Sequence, residues 1–141
     1  MSRSSDIRAY LVIGSDSHPA DILEQRIGLV PDSKVHMGEA KGLTLIRSKW
    51  HAVKYFSSLG RNASVEDHVD SVVAKLRPFA HHISNLPSEC WRQLTVVCYY
   101  SERIAMHFST QAVKFLSEIG ADIDVDLYDF LPGGERDRPS Q

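Results

Sequence analysis

The chain has 141 residues, 43% of them hydrophobic and 24% charged, with a formal net charge of −2 and a sequence pI of about 6.4. That size suits one domain that buries a core without disulfides or metals, and the composition argues against intrinsic disorder. The charge balance excludes the basic footprint of a nucleic-acid binder, and no apolar run approaches the roughly 20 residues of a membrane-crossing helix.

Residues 1–6 are polar, lack the pattern of a signal peptide and are expected to be flexible. Residues 7–13 then alternate, with Ile7, Ala9, Leu11 and Ile13 on one face, which predicts a strand. Pro19 is placed as a first helical residue. Ala20, Leu23 and Ile27 form a short helical stripe that Gly28 ends. Residues 31–42 read as a loop or an irregular edge. Residues 43–56 are β-like but of mixed parity, which predicts a bulge or two short strands.

Ser64-Val65-Glu66-Asp67 is a capping signal that opens the longest helix. Its stripe of Val65, Val69, Val72, Val73 and Leu76 continues to Leu86, and Pro78 inside it predicts a kink or a division. Residues 92–100 are apolar on both faces, the mark of an inner strand, and residues 104–108 suit another short one. Ser109 or Thr110 caps a helix carrying Ala112, Val113, Leu116 and Ile119, ended by Gly120. Residues 122–128 alternate cleanly, with Ile123, Val125 and Leu127 inward and Asp122, Asp124 and Asp126 outward. A single domain is therefore expected over residues 7–130, followed by a flexible charged tail over 131–141.

Both Ile27-Gly28 and Ile119-Gly120 end a helix that lies between two strands. Counting back from the glycines aligns Ser17 with Ser109 and Ala20 with Ala112. This favours two pseudo-duplicated strand–helix–strand halves joined by the long helix. The expected class is α+β: a ferredoxin-like or related two-layer α/β sandwich, its sheet mostly antiparallel with helices on one face.

Several strings, taken in this order, resemble the bacterial domain of unknown function 4279 family. They are Arg8-Ala9-Tyr10-Leu11-Val12-Ile13, Ala20-Asp21-Ile22-Leu23-Glu24, Trp50, the strand over 94–100, and residues 119–128. The resemblance covers residues 7–130. It implies a small α+β fold in a bacterial cytosol, and it implies no activity and no catalytic residue.

Cys90 and Cys98 are the two cysteines. Eight residues of strand span roughly 26 Å, whereas a disulfide needs Cα atoms within about 7 Å, so a reducing, cytoplasmic setting is expected. Seven histidines are present, but none stands in a zinc-binding spacing. Asp122, Asp124 and Asp126 share a strand face that spreads them apart, so a solvated face or a charge-guarded edge explains them better than a cation site. Asp16-Ser17-His18 reads as a loop and helix cap, and no nucleophile elbow or glycine-rich phosphate loop exists. Tyr10, Trp50, Tyr99 and Tyr128 read as core and sheet packing in place of an RNA platform.

Charge is segregated along the chain. Residues 34–61 hold six bases against Glu39, a balance of +5, and residues 118–137 hold seven acids against Arg136, a balance of −6. Pairing within one sheet explains this as well as docking of a charged partner does. The leading expectation is a non-enzymatic protein-interaction or regulatory domain, immunity-like in use, that binds a protein partner or self-associates as a homodimer. No metal, cofactor, nucleic acid or membrane is expected. The alternative is a small-ligand binder or enzyme with a pocket between the sheet and the kinked helix. Candidate binding residues are Trp50, Arg47, Lys49, Asp124, Asp126 and Tyr128.

Overall fold

The computed structural model describes residues 6–39, 48–100 and 103–129. Alternation over the first strand gives β1 (Asp6–Ser15), and the Ala20-Leu23-Ile27 stripe gives α1 (Ala20–Ile27). The segment read as a loop contains a three-residue edge strand, β2 (Ser33–Val35), and β3 (His51–Phe56) follows. The mixed-parity stretch before His51 falls largely on residues 40–47, outside the described residues.

Ser64 caps α2 (Val65–Leu76), its Oγ accepting from the Asp67 amide at 3.0 Å. Pro78 then divides the long stripe as expected. A single 3₁₀ turn over Arg77–Phe79 separates α2 from α3 (Ala80–Ser84), because a prolyl residue removes the amide that would continue the helix. The Arg92 guanidinium closes α3, with Nη2 donating to the Ile83 carbonyl and Nη1 to that of Cys90, both at 2.7 Å. Next come β4 (Trp91–Tyr100), α4 (Thr110–Ile119) and β5 (Asp122–Asp129). Ser109, not Thr110, is the α4 cap, accepting from the Ala112 amide while its hydroxyl donates to Asp70 at 2.7 Å. Residues 104–108 form no strand; Ile104 and Phe108 instead pack irregularly against the core.

The sheet order is β2-β3-β1-β4-β5. Its first four strands pair antiparallel throughout, and their connection through α1 and the α2–α3 segment is the split β-α-β-β-α-β arrangement of the ferredoxin-like class. β5 adds a fifth strand, parallel to β4 and reached through α4. The two expected halves are both present as strand–helix–strand units, but β1 and β2 straddle β3 while β4 and β5 are direct neighbours. Gly28 and Gly120 end their helices at φ +91° and +71°, a left-handed conformation that favours glycine.

Odd-numbered β1 residues join Leu94, Val96 and Cys98 of β4 beneath the buried stripes of α1, α2, α3 and α4. The inward face of β5 is the one expected, and Val125 packs against the core, but the strand is less covered than its alternation predicts. Ile123 and Leu127 lie on the helix-side face, in register with Leu94 and Cys98, yet they remain 44% and 50% exposed. The α4 helix commits Ala112, Phe115, Leu116 and Ile119 to the core and leaves the edge strand uncovered.

Candidate binding face

With the helices on one side, the even-numbered residues of β1 face the other. Strand register then builds rows across this open face. Phe56, Tyr10, Thr95 and Asp124 form one row, Lys54, Val12, Gln93 and Asp122 the next, and Ala52, Gly14 and Trp91 a third. From these rows Tyr10, Val12, Ala52, Lys54, Trp91, Gln93 and Thr95 floor a groove of about 680 Å³. Val35, Glu39, Ser48 and Trp50 bound it on the β2–β3 side, and Asp124 and Asp126 bound it on the β5 side.

Gly14 makes one end of the floor possible. A Cβ at that position would stand 2.3 Å from Cζ2 of Trp91, so only glycine lets the indole lie across β1. Trp91 meets Trp50 edge to face, with centroids 5.4 Å apart. Ser48 sets the Trp50 turn by donating its hydroxyl to the Trp50 carbonyl at 2.7 Å.

Tyr10 occupies the centre. Its ring meets Phe56 edge to face at 5.5 Å, and Lys54 Nζ lies 5.4 Å from its centroid, within cation–π range. Burial, and then the Asp126 charge, raise the phenol above its ordinary pKa, while a hydrogen bond with Thr95 partly opposes them. On the β5 wall, burial raises the Asp126 carboxyl above the usual carboxylate range, helped by the charge of Asp124 and a hydrogen bond with it. None of the ion pairs among the described residues uses Asp122, Asp124, Asp126 or Asp129.

Of the residues singled out in the sequence, Trp50, Asp124 and Asp126 therefore come together in one groove. Tyr128 flanks it, stacked on Tyr99 at 5.0 Å. Lys49 is exposed beside Trp50 and does not line the groove, and Arg47 lies outside the described residues. Sequence reasoning missed Trp91, Gln93, Thr95 and Lys54. The available signal was the even-numbered set of β1, which carries Tyr10 and Val12 opposite the core set.

The basic segment is not one surface. Lys34 pairs with the buried Val53 in register, and its ammonium turns to Asp21 and Glu24 of α1, 2.7 Å from each. Arg61 reaches Asp6. The space between the sheet and the kinked helix, where a pocket is expected, is filled along most of its length by Val65, Val69, Val72, Val73, Leu76 and Ile83, and only the first turn of α2, at His68, borders a hollow.

The Asp16-Ser17-His18 triplet belongs to a small polar cluster at the end of β1. Ser15 Oγ accepts from the amides of Ser17 and His18, at 3.1 and 2.9 Å. His18 Nδ1 stands 3.1 Å from Ser17 Oγ and 2.9 Å from Glu89 Oε2, and Ser17 also donates to that carboxylate. A triad needs serine and acid on opposite ring nitrogens; here both meet the same one. Burial raises the thiols of Cys90 and Cys98, the reverse of an activated nucleophile. Among the described residues, no three His, Cys, Asp or Glu side chains gather as a metal-ligand set.

A family model described as "Domain of unknown function (DUF4279)" matches residues 5–130. No curated protein and no solved structure matches the chain.

Proposed function

Because the chain belongs to the domain of unknown function 4279 family, a membership that names no activity, we propose its role from geometry: a non-enzymatic interaction domain that docks a second copy of itself on the open sheet face. The observation that carries this is the distribution of charge about β1, the middle strand. Asp124 and Asp126 lie two strands to one side without an ion-pair partner among the described residues, and Lys54 lies one strand to the other. A two-fold axis along β1, between two stacked faces, carries Lys54 of each copy over β4 of the other, beside Asp124. An axis perpendicular to the strands sets β5 on β5 and acid on acid, which like charges disfavour.

The rest of the face supports the same reading. Trp50 and Phe56 stay 40% and 39% exposed at the groove's rim, and aromatic residues of this kind are enriched at protein interfaces. A regulatory or immunity-like use fits such a surface. No helix among the described residues is long and apolar enough to cross a membrane, and the two buried free cysteines suit a reducing cytoplasm.

Sedimentation equilibrium at low and high salt tests the proposal. A dimer that weakens as salt rises is expected, and Asp124→Lys with Asp126→Lys abolishes it. Lys54→Glu alone also gives a monomer. Mixing these two variants restores a heterodimer, because both symmetry-related contacts become attractive. A wild-type chain that stays monomeric at every salt concentration sinks the reading.

A further inference from the structure

Where β1 begins and β3 ends, a second hollow of about 400 Å³ shares only Tyr10 and Lys54 with the groove. We propose that it binds a small organic anion, an apolar body bearing one carboxylate. The inference does not depend on self-association.

Its wall is a turn tied to β1 at both ends. The Ser57 amide donates to the Ala9 carbonyl at 2.9 Å, and the Ile7 amide donates to the Arg61 carbonyl at 3.1 Å. The first turns of α2 bring His68 beneath this wall, only 2% exposed, with Nδ1 2.7 Å from Ser57 Oγ. Ser57 Oγ also accepts from the Leu59 amide at 3.1 Å, and its hydroxyl proton is free to serve Nδ1. With the hydroxyl donating to Nδ1, the neutral ring carries its own proton on Nε2, and that buried N–H has no hydrogen-bond partner among the described residues. The Gly60 backbone lies near enough to favour the charged ring but does not meet Nε2 with hydrogen-bond geometry. A buried donor of this kind is costly until an acceptor reaches it.

Three cations among the described residues stand at the mouth: Arg8, Lys54 and Arg61. Asp6 is shared by both arginines, at 3.4 and 3.7 Å, which leaves positive charge in excess. The exposed Arg61–Asp6 contact is long and of the weak surface kind, so an incoming carboxylate displaces it at small cost. Phe56 and Leu59 supply exposed apolar surface beside the β1 backbone at Ile7 and Ala9. A bare inorganic anion has no use for that lining, and a neutral apolar molecule none for the cations. The volume falls near the small end of the range for ligand pockets, which suits a compact molecule.

Benzoate, phenyl phosphate, benzamide and benzylamine are the probes, followed by amide NMR on the full chain at neutral pH. Benzoate is expected to give saturable shifts confined to Ala9, Ser57, Leu59 and Gly60, with a Kd on the order of 1 mM or tighter. Benzamide and benzylamine leave these resonances unmoved. Arg61→Glu, on a side chain 70% exposed and therefore safe for folding, weakens benzoate roughly tenfold or more. Leu59→Asp, in the same exposed turn, weakens it as well. The proposal is overturned by absent saturation at about 10 mM benzoate, a concentration well above that Kd. Unchanged affinity in Arg61→Glu, or shifts scattered over other cationic surfaces, overturns it too, and a preference for phenyl phosphate overturns the carboxylate head. The same titration on the Asp124→Lys, Asp126→Lys variant separates this site from the dimer.

Discussion

The two faces of β1 are made by alternate residues of one strand, yet they obey different rules. On the helix side, Ile7, Ala9, Leu11 and Ile13 vanish into a core that four helical segments cover. On the open side, Tyr10, Val12 and Gly14 are shielded only by neighbours across the sheet, Phe56, Lys54 and Trp91 among them. The first face is held by volume and the second by charge and aromatic edges. Mutations should therefore separate stability from association according to the parity of the residue.

The largest effect is expected on the covered face. Leu11→Ala removes a fully buried side chain and should cost about 2–5 kcal/mol in denaturant unfolding. Tyr10→Phe, one residue earlier, removes only a hydroxyl from a half-buried ring and should cost no more than about 1.5 kcal/mol, while it weakens the dimer. Equal losses of stability at the two positions would erase the distinction between the faces.

Gly14→Ala comes next and sharpens the comparison, because it acts on the open face through packing. The added methyl collides with the Trp91 indole, which must swing off the floor. Overpacking of this kind costs about 1–3 kcal/mol. Tryptophan fluorescence should shift and the dimer should weaken together. An unchanged emission spectrum with an intact dimer would show that the indole is not fixed by Gly14.

Parity explains why the fold was readable and the site only partly so. The odd set of β1, the helix-ending Gly28 and Gly120, and the dividing Pro78 act within a few residues, so local spacing reveals them. β2 is three residues long and exists because β3 pairs with it from 17 to 21 residues away. Ile123 and Leu127 have the alternation of a buried strand, but cover depends on how far α4 reaches. The same holds for the groove. Charge and aromaticity marked Trp50, Asp124 and Asp126, while Trp91, Gln93, Thr95 and Lys54 join them only through strand order. Lys34 shows the converse error, since its charge counts toward a basic segment although its register turns it to α1.

The smallest effects are pH slopes, and the two faces should give opposite signs. Burial lowers the pKa of His68 below its ordinary 6.5, so below that value the unfolded chain binds the proton more readily and stability falls on acidification. The Asp126 carboxyl is raised above its ordinary 3.8, so the folded chain takes up its proton first and stability rises as pH drops through that raised value. His68→Leu should cost about 1–2 kcal/mol through the lost Ser57 hydrogen bond and remove the slope below neutrality. Asp126→Asn should change stability at pH 7 by no more than about 0.5 kcal/mol and remove only the gain in acid. Unfolding midpoints between pH 7 and the carboxylate range check both. If Asp126→Asn flattened the slope near pH 6 as well, the acidic wall would be coupled to the core, and the two faces of β1 would not be independent.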